Sequence, residues 1–207
     1  MRVHRLAVIH YFLLTLACIT TLIVHAQTPE LSPDGARSIL LTGFAVNKQA
    51  QLKDIDNIAQ GLPREIGHRL EKQLWKVKTT PDLLSTEWRL SPASPQLLGQ
   101  IAGLYDVRYV VAGEVRDAGI STQSVLWGLR EKQSRVIDIE IRVYDARAGS
   151  LLGRFDFSGK ASGDVLIGAE HVFAGEAFRA TPYGKAIDEV IEQATQALSA
   201  TLLSQAQ

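Results

Sequence analysis

The sequence predicts an α+β, α/β-like fold: a single mixed β-sheet of about five strands with an antiparallel hairpin, packed with about three helices. Three observations carry this expectation. Residues 137–144, "IDIEIRVY", alternate apolar and polar side chains, which is the period of a strand with unlike faces. Ile187, Val190, Ile191, Ala194, Leu198 and Leu202 recur at helical spacing. Between these and the start of the chain, strand-like and helix-like segments take turns, an order that packs helices against a sheet containing parallel strands.

Residues 27–37, "QTPELSPDGAR", hold two prolines, a glycine and mixed charge, and read as a flexible, solvated leader. The fold is expected to start at Ser38, where "SILLTGFAV" makes a buried central strand. Ile55, Ile58, Leu62, Ile66 and Leu70 then show a helical period. Proline inside a helix removes a hydrogen bond, so Pro63 is expected in the first turn of a helix that ends near Gln73, after a turn at Gly61. Trp75 to Thr79 reads as a strand. Ser94 followed by Pro95 marks the start of a second helix reaching about Tyr105, with Leu97, Leu98, Ile101 and Ala102 inward.

Asp106 to Ile120 is apolar on both sides, as a central strand should be. A polar connection, residues 121–133, follows it. Next come Ile137, Ile139, Ile141 and Val143 on a buried face, with Asp138, Glu140, Arg142 and Tyr144 expected on a wet one. The turn Asp145 to Ser150 folds the chain back into an antiparallel hairpin carrying Leu151, Phe155 and Phe157. Residues 160–180 read as a second long connection. Thr181 and Pro182 then open the last helix as N-cap and first-turn residue.

Arg2 and Arg5 precede an apolar run from Leu6 to Val24 that ends at Val24-His25-Ala26, the pattern of an export signal (residues 1–26) cleaved after Ala26. A retained anchor is the competing reading, because the run approaches the length of about 20 residues that spans a bilayer. Cys18 is the sole cysteine. A lipid anchor at Cys18 fits poorly, since Thr15 stands where leucine is usual. The mature chain, without Cys18, has no thiol for a disulfide, a nucleophile or a metal. With Arg2 and Arg5 removed, the 22 basic residues fall to 20 against 22 acidic ones, which argues against nucleic acid as a partner. The 46% hydrophobic content suits a single globular domain over residues 38–207.

Gly159-Lys160 suggests a phosphate loop, but Arg154 stands where that loop needs its first glycine and Ala161 where it needs a hydroxyl. A strand end is the expectation. There is no Gly-x-Ser-x-Gly elbow, and the mature chain keeps only His68 and His171. His68 lies among Arg64, Arg69 and Lys72, as on a solvated helix face; His171 after Glu170 is a weak candidate for proton transfer or a metal. Asp54 and Asp56 resemble the start of a calcium loop that lacks its glycine and distant glutamate. No cofactor or metal is expected.

Four segments, "IDNIAQGLPREIGHRLEKQ", "YDVRYVVAGEVRDAG", "IDIEIRVYDARAGSLLGRFDFSGKASGDV" and "AFRATPYGKAIDEVI", together resemble the middle domain of flagellar assembly protein T, a relative of the amino-terminal domain of TolB. The distinctive parts are the Arg-Val-Tyr-Asp-x-x-x-Gly turn at 142–149 and Thr-x-Tyr-Gly-Lys-Ala-Ile at 181–187. The resemblance implies a TolB-like fold and a periplasmic, non-enzymatic component of the ring around the flagellar basal body, reached through a cleaved signal. It implies basal-body ring proteins as partners, self-association into a ring, and no membrane span after cleavage. The longest family members have three domains; this sequence matches the middle one. TolB-like and penicillin-binding-protein-activator-like domains are similar, so a regulator of other envelope machinery is the alternative; a small periplasmic hydrolase using His171 ranks below it. On either non-enzymatic reading, residues 121–133 and 160–180 would present contact surface, with Leu126, Trp127, Val172 and Phe173 as the contact residues. Trp127 folded back on the sheet is the competing reading.

Overall fold

The computed structural model describes residues 37–47, 57–84, 93–125, 130–168 and 171–205, within a compact unit spanning Leu31–Gln207. Segment 1–26 with Cys18 and Ala26, most of the leader, Asp54, Asp56, Leu126, Trp127 and Glu170 lie outside the described residues. In chain order the elements are β1 (Ser38–Gly43), β2 (Ala45–Val46), α1 (Ile58–Glu71), β3 (Lys76–Leu84), α2 (Pro95–Tyr105), β4 (Tyr109–Asp117), β5 (Ile120–Val125), β6 (Arg130–Asp145), β7 (Ser150–Ser162), α3 (Glu176–Ala180) and α4 (Pro182–Gln205).

The strands form one mixed sheet. Strand β1 is parallel to both β3 and β4 and buried along its whole length, whereas β4, β6 and β7 are successively antiparallel. Ser134 and Arg135 pair with β5 on one side of β6 and with β7 on the other. Strand β4 pairs with Asp138–Asp145, which β7 also pairs. Strands β4 and β5 therefore share one edge of β6, and β2 continues β1 beside β4. The result is five ribbons: β3, β1 with β2, β4 with β5, β6, and β7.

Helices cover both faces, making three layers. Ile39, Leu41, Tyr109, Val111, Ile137, Ile139, Ile141 and Val143 point to one side, where α1 adds Leu62, Ile66 and Leu70 and α4 adds Ile187, Val190, Ile191, Ala194, Leu198 and Leu202. Leu40, Val110, Ala112 and Tyr144 point to the other, under Leu98 and Ile101 of α2. Each such Val, Leu or Ile side chain contributes about 1.5–3 kcal/mol by leaving water. Two helix starts are as expected. Ser94 accepts the N–H of Leu97 at 3.2 Å, with Pro95 in the first turn. Thr181 Oγ1 accepts the N–H of Gly184 at 2.9 Å.

Four expectations need correction. Pro63 sits well inside α1 rather than in its first turn. The helix tolerates it because the carbonyl of Ala59, which a residue-63 N–H would have bonded, accepts the backbone N–H of Phe44 at 2.7 Å instead. Residues 121–133 are largely not a loop: β5 and the start of β6 pair from Ile120↔Arg135 to Val125↔Arg130. Residues 120–124 are exposed throughout, so backbone pairing holds this hairpin without an apolar face to announce it. The face of β6 expected to be wet is covered at both Tyr144, which α2 shields, and Glu140, which arginines enclose. Residues 160–180 begin as strand, since β7 runs to Ser162, and end as α3; of the strap between them, residues 163–168 and 171–175 are described, and Val165, Ile167 and Phe173 enter the core there, as does Phe178 of α3.

Candidate interaction surfaces

Phe173 is corrected as a contact residue. Only 7% of it is exposed; its ring lies against Gly61 of α1 and is tilted on Phe178 with 5.1 Å between centroids. Its neighbour Val172 is 76% exposed and projects from the same strap, as does Leu166. The backbone explains the contrast, because the chain turns here, the N–H of Gly175 bonding the carbonyl of Val172 at 2.9 Å with Ala174 at φ 62°, so that the two neighbouring side chains leave the turn in different directions.

The near-phosphate motif is packing. A Cβ at Gly159 would lie 2.9 Å from the carbonyl oxygen of Ala186 and from Val190 of α4, so glycine there lets the helix approach the sheet. Lys160 is exposed at the strand end. His68, on the outside of α1, lies 3.6 Å from Glu65 Oε1; His171 Nδ1 lies 3.3 Å from the carbonyl of Gly168. Among the described residues no group of three His, Cys, Asp or Glu side chains is placed to hold a metal ion, and no helix is long and apolar enough to cross a membrane.

Both distinctive motifs are architectural. In Arg-Val-Tyr-Asp-x-x-x-Gly, Asp145 Oδ1 accepts the N–H groups of Arg147 and Ala148 at 3.0 and 2.9 Å, while Oδ2 meets Arg108 Nε at 3.2 Å. Gly149 ends the turn at φ 64°, in the left-handed region, against Pro95. In Thr-x-Tyr-Gly-Lys-Ala-Ile, the Tyr183 hydroxyl donates to the carbonyl of Val136 at 3.1 Å, and its ring lies 4.3 Å beneath the Arg135 guanidinium. Arg135 is fully buried, donating to the carbonyls of Ala118 at 3.1 Å and Val165 at 3.4 Å. It ties the corner after β4, the strap and the start of α4 together. Sequence reading missed this arginine because only the fold brings its partners near.

Beyond the edge of α2, the sheet's second face is a ladder of charges. Glu140 of β6, 2% exposed, pairs with Arg116 of β4, with Arg142, and with Arg154 of β7 at 2.6 Å; Arg116 also holds Asp156 of β7 at 2.7 Å. Strand alternation supplies the geometry, since Glu140 lies opposite Asp156 and Arg142 opposite Arg154 on one face. This face, the outer edge of β7, and the strap around Val172 are exposed surfaces among the described residues. A separate network pins the helices: Arg69 of α1 binds Asp188 and Glu192 of α4, and Arg179 of α3 binds Glu65 at 2.7 Å.

Comparison with known proteins places this geometry. A solved structure of the hypothetical protein CT253 from Chlamydia trachomatis superposes with a TM-score of 0.60 at 16% identity, covering 81% of this chain and 98% of that one, which shows a shared fold. TolB from Acinetobacter baumannii matches with a TM-score of 0.40 and 15% identity over 84% of this chain and 29% of its own. Lipoprotein GNA1162 from Neisseria meningitidis matches at 0.45 and 13%, covering 77% and 98%. No curated protein matches significantly by sequence. The family described as flagellar assembly protein T, middle domain, matches residues 32–169, from the leader through the strap. That span is two-thirds of the chain and contains every strand among the described residues, so this chain belongs to the flagellar assembly protein T middle-domain family.

Proposed function

We propose that this protein is an exported, non-catalytic component of flagellar assembly that acts in the periplasm by contact with proteins of the basal-body ring. The family match over residues 32–169 carries the reading. It is supported by the roles of Asp145, Gly149, Tyr183 and Arg135, which turn, cap or tie the fold. A protein whose distinctive residues build shape works through the surfaces that shape presents. Val172 on the strap is one such surface, and Leu126 and Trp127, outside the described residues, are the other contact residues of this proposal.

The test is crosslinking in intact cells, with the gene deleted and complemented by a tagged copy. Capture of basal-body proteins, loss of motility on deletion, and a mature chain beginning at Gln27 are the expected results. Trp127→Ala and Val172→Asp should fold normally and reduce that capture. Capture of cell-wall synthases with motility intact, or turnover of a small molecule that His171→Ala abolishes, would overturn the reading.

A further inference from the structure

Strand β7 is an edge of unusual length. Its 13 residues pair with β6 along one side, and among the described residues no backbone group bonds its other side. Proteins usually shorten or cover such an edge, because its free N–H and C=O groups recruit another strand. Helix α4 does not shield all of it. The helix packs along β7 on its core face, touching Gly159 through Ala186 and Val190, so it covers that face and not the outer backbone edge of the strand. Phe155 and Phe157, stacked at 6.3 Å, are left only partly buried.

We propose that a second copy of this chain pairs with β7 edge to edge, antiparallel, about a two-fold axis through Phe155. The charges on the strand favour two registers, and the aromatic residues choose between them. An antiparallel pair that keeps like faces together sets residue i of one copy against a residue of the same parity in the other. Opposing Asp156 to itself, or Arg154 to itself, stacks like charges, and opposing Phe157 to itself sets Arg154 against Lys160; opposing Ser158 to itself sets Asp156 against Lys160 twice but leaves Arg154 against Ser162 and Phe155 against Ala161. Centring on Phe155 sets Arg154 against Asp156 twice, Phe155 against Phe155, and Phe157 against Gly153. Strand β7 is regular here, since its bulge lies beyond Gly153.

Both charged groups have capacity to spare. Arg154 is 52% exposed and Asp156 60%, although each has a partner within its own copy. A guanidinium has five donors and a carboxylate about four acceptor sites. Across the axis the charge ladder therefore continues from Arg116 and Asp156 of one copy to Arg154 and Glu140 of the other. An isologous contact of this kind closes on itself and makes a dimer rather than a filament. This inference stands apart from the flagellar reading, since it depends on the strand alone.

The test is sedimentation of the purified chain against concentration. Dimerisation is expected, with Asp156→Arg and Arg154→Asp each weakening it at least about tenfold, because both cross-strand ion pairs become like-charge pairs. An equimolar mixture of these two variants should form a heterodimer, since each supplies the charge the other lacks. In a Cys18→Ser background, Phe155→Cys should oxidise to a linked dimer and Ser158→Cys should not, because residues 158 lie far from the axis. A monomeric wild type, a dimer indifferent to both reversals, or equal linkage through residue 158 would overturn the proposal. The cysteine pair keeps the test decisive if a charge reversal unfolds.

Discussion

The backbone N–H of Phe44, in the break between β1 and β2, donates to the carbonyl of Ala59 in α1 at 2.7 Å. That bond resolves a local conflict. Pro63 leaves the Ala59 carbonyl without its helical donor, and the break in the strand leaves Phe44 with a donor to place. A proline in a helix interior costs about 3 kcal/mol in an ordinary context. Here Phe44 offsets the lost bond, so Pro63→Ala should change stability by less than about 1 kcal/mol in urea unfolding. A gain near 3 kcal/mol would show that the Phe44 bond compensates little.

Gly184 and Gly159 should prove intolerant for steric reasons. A Cβ at Gly184 would overlap the carbonyl oxygen of Phe178, a backbone atom that cannot rotate away, and one at Gly159 would push α4 off the sheet. Gly184→Ala is expected to cost more than about 2 kcal/mol and Gly159→Ala about 1–3 kcal/mol. Exposed Lys160→Ala should stay within about 0.5 kcal/mol. Denaturant midpoints of the three variants check this; a large loss at Lys160 with none at Gly159 would reopen the phosphate-loop question.

Side-chain period and capping chemistry made much of the fold legible. Ile137 to Val143, the Asp145 turn, the Ser94 and Thr181 caps and the stripe of α4 all stand where local pattern puts them, because each is decided within a few residues. What stayed hidden depends on distant neighbours. The β5–β6 hairpin is polar on both faces and has no apolar period to read. Pro63 needed Phe44, brought near by the sheet. Glu140 looked solvated until three strands placed Arg116, Arg142 and Arg154 around it. Of the four contact residues expected from sequence, Val172 is exposed and Phe173 is core. Apolar character alone does not tell a docking residue from a plug.

Tyr109 should reveal itself in alkaline solution. Its hydroxyl is buried and has no hydrogen-bond partner among the described residues. Burial raises its ionisation above the ordinary value of 10.0, Arg108 opposes this and Asp145 reinforces it. The unfolded chain therefore loses this proton first. Stability from the site is full below about pH 10 and declines as pH rises through the folded value. Tyr109→Phe should remove that decline from the difference between the two proteins. At neutral pH it should leave stability unchanged or raise it by less than about 1 kcal/mol, since no bond is lost. Guanidinium unfolding at neutral and alkaline pH measures both effects, and a neutral-pH loss above about 2 kcal/mol would mean that the phenol is bonded.

Arg135 should be irreplaceable by lysine. Its guanidinium serves the carbonyls of Ala118 and Val165 and the face of Tyr183 at once, a division that a planar fork permits and a single ammonium does not. Losing either carbonyl bond in a buried site costs about 1–3 kcal/mol. Arg135→Lys is therefore expected to lose more than about 2 kcal/mol although the charge remains. A cycle of Arg135→Met with Tyr183→Leu separates the ring from the carbonyls: if the cation rests on the ring, the two losses should fall short of additivity by at least about 0.5 kcal/mol. Strict additivity would leave the arginine held by carbonyls alone. In that case the tyrosine of the motif would owe its place to the hydroxyl on Val136, and Tyr183→Phe should then reproduce most of the loss seen with leucine.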